Sequence, residues 1–455
     1  MQNIVNQYFA LSIISPILVL HKNRNMKVIK SNTVSSFGGI NFVFQHLDNL
    51  QIEKILNDSL PHLSTNSLYS WKDLFYSFLS IYFCGGDCIE DLHTNLKPHF
   101  KKNPFVKIPS PDTVLRRFSE LATEVQTCRT KRGTVDHEFN TNQNLCNLNL
   151  AVLSKTGILA SEALILDYDN TIIFNEKRDS KMTYKRDYGY QPGVCTLNEE
   201  FILYIENRNG NSDAKSFQID TLNNLFVTLE KYNVRKVSHF RADSASYQFE
   251  VVNLLDQKSD FFYIGCRNSY VEKYFSEVQN WTKTTDQFGE LQVGSITITP
   301  FVKRSKENGI KPKQYRLLVK RRLRKDGQMN LITQDEYDYC AVLTNNFEMT
   351  DMEVANFYNR RGNMEKQFDI LKNDFGWQKL PFSSLNKNLV FLYLTAICRN
   401  LYNNIIHFFS KKCKHLNPTF RIKKFIFRFI IQPVKWIKQS RQMKLKIFSD
   451  SFVFD

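Results

Sequence analysis

Tyr358, Arg361, Glu365 and Lys372, in the segment YNRRGNMEKQFDILK, stand at spacings of three, four and seven. At about 100° per residue of an α-helix they fall within about 60° of one another, so one stripe presents a carboxylate flanked by an aromatic hydroxyl and two cations. Phe357, Met364, Phe368, Leu371 and Phe375 make an apolar stripe on the adjacent face, so one side can pack while its neighbour does chemistry. Alone, such a stripe describes an ordinary surface helix with ion pairs such as Arg361 with Glu365, worth about 0.2–0.5 kcal/mol. Acidic residues at two strand ends upstream change its weight. ALILDYDNTIIF places Asp167 and Asp169 two apart, on one face of a strand, and VRKVSHF stops at Arg241-Ala242-Asp243. Two unit charges about 4 Å apart repel by roughly 4 kcal/mol at an effective dielectric of about 20, so a carboxylate cluster that stays ionised at neutral pH requires cations. Oxygen-only ligands select hard Mg²⁺ or Mn²⁺. Two such ions would activate a water or a 3′-hydroxyl and stabilise the leaving oxygen of an in-line attack on phosphorus.

The Y-x2-R-x3-E-x6-K spacing resembles the signature of the bacterial transposase group whose prototype is insertion sequence four, within the DDE superfamily, and the chain is most similar to the insertion sequence 1380 family. The similarity runs from about Phe37 to the basic C-terminus. It includes SSFGGI, IPSPDTVLRRF, LDYDNT, TYKRDYGYQPG, FRADSAS, the signature segment, NDFGWQKLPFSSLNKN and FRFIIQPVKW. The resemblance implies Asp169, Asp243 and Glu365 as the catalytic, metal-holding carboxylates, and Tyr358, Arg361 and Lys372 as residues that hold the transposon-end phosphates. It implies cleavage at terminal inverted repeats, transfer of the 3′-hydroxyl ends into target DNA, and a homodimer that pairs two ends. Phe174 to Arg178 (FNEKR) departs from a His-Gly-x-Gln element found in many relatives, which leaves Asp167 as the alternative first carboxylate. Gly362 inside the signature helix costs about 1 kcal/mol relative to Ala; it either admits close approach of DNA or of an inserted domain, or is simply tolerated.

The expected fold class is α/β: an RNase H-like core interrupted by a mostly β insertion, with a helical N-terminal DNA-binding region and a basic helical C-terminus. Three strands (ALILDYDNTIIF, Gly193 to Cys195, FILYIE), the helix DTLNNLFVTLEKY and a fourth strand give the opening order of such a core. The expected divisions are an N-terminal extension over 1–25, helical DNA-binding region over 26–150, core over 151–243, β-rich insertion over 244–349 (FFYIG, SITITPF, QYRLLVKRRL, YCAVLT), core again over 350–410, and a basic helical region over 411–455. Met26 is an alternative start to Met1. Ser110-Pro111 and Thr350 with Glu353 are helix starts, and the helix after Pro111 offers Arg116 and Arg117 to DNA, unless they are a solvated face. The polar stretch Lys131 to Asn147 reads as a linker.

Sixty-one Lys and Arg against 45 Asp and Glu leave a net charge of +16, a field that favours a polyanion, because each phosphate neutralised releases a counterion. Nine scattered cysteines fit a reduced compartment, and Cys84 and Cys88 lack the further ligands of a zinc site. The apolar run over 8–20 and the stretch Leu389 to Cys398 are too short to span a bilayer, so no membrane anchor is expected; the expected location is cytoplasmic, with the bacterial nucleoid. A glycoside hydrolase also uses paired carboxylates but leaves the +16 charge unexplained. A transposase relic that binds DNA without cutting it is the other reading.

Overall fold

The computed structural model describes residues 34–129, 136–286, 288–324, 328–329 and 334–448; the extension over 1–25 and the choice of Met26 lie outside them. The helical-period segments near the N-terminus form α1 (Ile40–Asn49), α2 (Ile52–Ser59) and α3 (Trp71–Phe83), the last opened by a capping box of Ser70 and Asp73. In α4 (Pro111–Ser119), Ser110 accepts the Thr113 N–H and Pro111 fills the first turn, as expected. The described part of the stretch read as a linker, from Asp136 onward, is ordered instead. Asp136–Asn140 is a strand, and Asn142 caps a helix, α5 (Gln143–Lys155), through the Leu145 N–H. Its asparagines satisfy backbone groups: Asn140 and Asn142 donate to carbonyls at Glu124 and Leu121.

Eleven strands form one sheet: β1 (Gln126–Arg129), β2 (Asp136–Asn140), β3 (Ile165–Asn170), β4 (Gly193–Leu197), β5 (Phe201–Arg208), β6 (Val237–Ala242), β7 (Ser259–Cys266), β8 (Thr282–Asp286), β9 (Gly289–Ile298), β10 (Tyr315–Leu323) and β11 (Tyr337–Thr344), in spatial order β1-β2-β5-β4-β3-β6-β7-β11-β10-β9-β8. β3, β4 and β5 pair antiparallel. A helix, α6 (Gln218–Glu230), then leads to β6, parallel to β3 on its other side. This is the expected order of three strands, a helix and a fourth strand. FFYIG, grouped by sequence with the insertion, is β7; it follows α7 (Phe249–Lys258) and pairs in parallel with β6. Core pairing therefore continues through Cys266, and β8 to β11 extend the same sheet, with β11 antiparallel to β7.

The signature segment is broken into α8 (Asp351–Asn359), a 3₁₀ turn over Arg360–Gly362 and α9 (Asn363–Asp374). Thr350 and Glu353 make the expected capping box. The turn tightens the chain just where Gly362 lowers helix propensity. An added Cβ at Gly362 would meet nothing within 4 Å, so no neighbouring protein segment requires that glycine. α10 (Leu385–Ser410) crosses β5, where Tyr393 Oη and Asn400 Oδ1 accept the Ile205 and Ile202 N–H groups. It is long and apolar enough to cross a membrane, yet 94% of its apolar window is buried inside the protein, which makes it a core helix.

The C-terminal region corrects the expectation of helices. Among its described residues only a short helical stretch forms, over Ile422–Ile430, and Val434–Gln439 pairs with Gln442–Ile447 as a hairpin. Pro433 ends the helix, QMKLKI alternates with period two, and Ser440 and Arg441 both take positive φ, 51° and 62°, the conformation of a tight hairpin turn.

Candidate active site

β3 and β6 lie in parallel register, with Asp167 opposite Arg241 and Tyr168 opposite Ala242. Alternate residues share a face, so two successive rungs of charged side chains point towards α8 and the turn that follows it. On the inner rung, Arg241 Nε and Nη2 grip Asp167 at 2.6 and 2.7 Å. The same guanidinium donates to Glu199 Oε1 at 2.8 Å and to the Phe357 carbonyl, near the end of α8, at 2.9 Å. Both side chains are sealed, at 0% and 1% exposure. Burial works against the guanidinium charge, but Asp167 and Glu199 hold its pKa above the ordinary value. Glu199, at the left-handed turn between β4 and β5, also accepts Arg360 Nε at 2.9 Å and Asn363 Nδ2 at 2.7 Å.

On the outer rung, Asp169 Oδ2 accepts Arg361 Nη1 and Oδ1 accepts the Asn170 N–H, both at 2.8 Å. Burial pushes the Asp169 carboxyl up to about 6 against the pull of Arg361, and the negative charge of Asp243 adds to the push. Asp243 caps the short turn Ser244–Ser246, accepting the Ala245 N–H at 3.0 Å. Tyr358 donates to the Ala242 carbonyl at 3.3 Å, and burial raises its phenol well above the ordinary range. Its hydroxyl lies over Gly265, where a Cβ would stand 2.5 Å from Oη; only glycine lets the ring settle there. Glu365 is exposed in the first turn of α9 and shares a cavity of about 440 Å³ with Asp169 and Lys372. A larger cavity of about 870 Å³ runs from Glu365 to Lys320, Arg321 and Arg322 on β10.

Asp169, Asp243, Tyr358 and Arg361 thus form one connected group, with Glu365 and Lys372 on the cavity that Asp169 borders. Arg116 and Arg117 are not drawn in: they pair with Glu120 at 3.0 Å each, and Arg117 also bonds Ser67. Asp167, the alternative first carboxylate, is already satisfied by Arg241. Sequence reading missed Arg241 and Glu199; the signal was present, since Arg241 precedes Asp243 by two as Asp167 precedes Asp169. Among the described residues the one group of three acidic, Cys or His side chains with ligand atoms all within 4.8 Å is Asp87, Cys88 and Asp91. There Asp91 serves the backbone N–H groups of Asp87 and Cys88, and Cys84 is a buried free thiol. Asp169 has Asp243 as a charged neighbour and shares a cavity with Glu365, so its carboxylate neighbours offer oxygen ligands only. Such ligands suit hard divalent ions, and the raised Asp169 carboxyl is the kind of group a nearby cation would relieve.

Sheet and helices define an α/β protein with Asp169 and Asp243 at the ends of neighbouring parallel strands. A family model described as "Transposase DDE domain group 1" matches residues 20–453, so the chain belongs to the DDE transposases. Enzymes of this family are DNA nucleases and strand transferases that work with divalent metal ions. No protein of curated function matches the sequence. Among solved structures, the cryo-EM structure of a piggyBac transposase synaptic complex with hairpin DNA is similar at 11% identity and a TM-score of 0.42, covering 86% of this chain and 79% of that one.

Proposed function

We propose that this chain is the transposase of a bacterial insertion sequence of the insertion sequence 1380 type, with an RNase H-like core whose working carboxylates are Asp169, Asp243 and Glu365. It cuts at the terminal inverted repeats and joins the 3′-hydroxyl ends to target DNA, as a homodimer pairing two ends at the nucleoid. The observation that carries this reading is Asp169, held between Arg361 and the charge of Asp243 in a cavity shared with Glu365 and Lys372. The three carboxylates would hold two Mg²⁺ or Mn²⁺, which when bound supply Lewis acidity towards the phosphate and its attacking oxygen. Arg361 neutralises Asp169 in the absence of DNA; its planar guanidinium suits a phosphate oxygen equally well and can exchange one for the other. Tyr358 is fixed by Ala242 and Gly265 beside Asp243, and Lys372 lies further along the cavity. These three side chains fix the scissile phosphate before reaction, and such positioning is a main source of rate.

Cleavage of an end-labelled duplex carrying the terminal repeat and its flank, by wild type and by Glu365→Ala, tests the proposal. Nicking at the repeat boundary that requires Mg²⁺ or Mn²⁺ and disappears in the variant is expected. Binding without cleavage would leave a DNA-binding relic; equal cleavage by both proteins would mean that the active site lies elsewhere.

A further inference from the structure

Between β3 and β4 the chain builds a small three-stranded flap, in which Tyr188–Tyr190 pairs with both Ile173–Phe174 and Lys181–Met182. Its base is fixed. Asp179 accepts the Leu385 N–H at 2.7 Å and the Tyr190 hydroxyl, Asn209 donates to the Asp179 carbonyl at 2.8 Å, and a Cβ at Gly210 would stand 2.5 Å from the Lys181 carbonyl. The tip, Thr183 to Asp187, is closed by two backbone hydrogen bonds and turns on Arg186 at φ 62°. It serves no core: Tyr184 is 74% exposed, and Phe174, Met182 and Tyr188 are exposed with it. Lys185 and Tyr184 line the cavity that also holds Asp169, Glu365 and Lys372. Burial lowers the Lys372 pKa and the nearby Lys185 charge adds to this, against the pull of Asp369; neither lysine has a carboxylate within 4 Å among the described residues.

Two cations on one cavity, neither held in an ion pair within 4 Å among the described residues, beside an exposed aromatic on a fixed base, match the two needs of an unpaired nucleotide: a phosphate clamp and a stacking surface. We infer that the flap is a DNA-strand subsite, in which Lys185, across the cavity from Lys372, holds the phosphate next to the scissile one and Tyr184 stacks on a base of the unpaired strand leading into the cleft. The inference rests on the proposed function and extends it to residues outside the signature helix.

The test is binding of a fluorescein-labelled single-stranded DNA of about 12 nucleotides to full-length wild type, Tyr184→Ala, Tyr184→Phe and Lys185→Ala, over salt from roughly 50 to 200 mM. Circular dichroism confirms that each variant is folded, as expected for exposed tip residues. Tyr184→Ala weakens binding about tenfold, as loss of one stacked base does, while Tyr184→Phe keeps it. Lys185→Ala lowers the slope of log affinity against log salt by about 0.7, one phosphate contact on a single strand. Wild-type affinity and slope in Tyr184→Ala and Lys185→Ala, or equal losses in Tyr184→Phe and Tyr184→Ala, overturn the subsite while metal-dependent cleavage of the repeat duplex stands. A wild-type protein that binds neither the oligonucleotide nor the duplex overturns the proposed function as well.

Discussion

The inner and outer rungs use the same two strands and the same kinds of charge one step apart, yet they meet that charge differently. Asp167 and Arg241 are buried, bidentate and tied to Glu199 and the end of α8. Asp169 and Asp243 sit at the mouth, two carboxylates near one another with Arg361 as their nearest fixed cation. A sealed ion pair fixes geometry, because breaking either half strands a charge in a low-dielectric interior. The open rung holds an excess of negative charge that only a further cation relieves. The pair beneath thus sets the spacing of β3, β6 and α8, and the pair above is left with unmet charge for DNA and metal chemistry.

The comparison breaks first on activity. Asp169→Asn is expected to lower metal-dependent strand cleavage on the order of 10³-fold or more, with the far-ultraviolet spectrum unchanged; a variant within tenfold of wild type would remove Asp169 from the chemistry. Stability gives the next largest contrast. Asp167→Ala should cost about 3–5 kcal/mol in denaturant unfolding, the cost of an unpaired buried arginine. Asp243→Ala, at the mouth, should cost about 1 kcal/mol, for one capping bond. Equal losses at the two positions would mean that both rungs are structural.

Much of this arrangement could be read from local chemistry. Ser110 with Pro111, and Thr350 with Glu353, open helices as their side chains dictate. Asp169 and Asp243 stand at the ends of adjacent strands, as the strand-like segments before them suggest. What could not be read is pairing at a distance. FFYIG and SITITPF look alike as strands, and only the parallel partnership with β6 makes the first part of the core. Arg241 had no visible partner until β3 and β6 were aligned. At the C-terminus, basic residues interleaved with Phe and Trp suit a helix or a strand equally. Pro433 and the left-handed pair Ser440 and Arg441 decide for a hairpin, and positive φ at two such residues carries no compositional mark. The flap tip shows the same gap: TYKRDYGYQPG is conspicuous in sequence, but its closeness to Lys372 exists only in three dimensions.

The smallest effect is the most specific to the outer rung, because it reads unmet charge without invoking catalysis. In the fold the Asp169 carboxyl titrates at about 6, against 3.8 for an ordinary aspartate. The native state therefore binds this proton more tightly than the unfolded chain, and stability falls as pH rises between those values. Below about pH 4 the group is protonated in both states and costs nothing; above about pH 6 the full cost is present, on the order of 1–3 kcal/mol. In a chelator, urea unfolding of wild type from pH 4 to 7 should lose stability across this window relative to Asp169→Asn. Added Mg²⁺ or Mn²⁺ should restore it at pH 7 in wild type but not in the variant. Parallel pH profiles for the two proteins would show that Arg361 already satisfies Asp169, and the distinction between a sealed rung and an open one would fail.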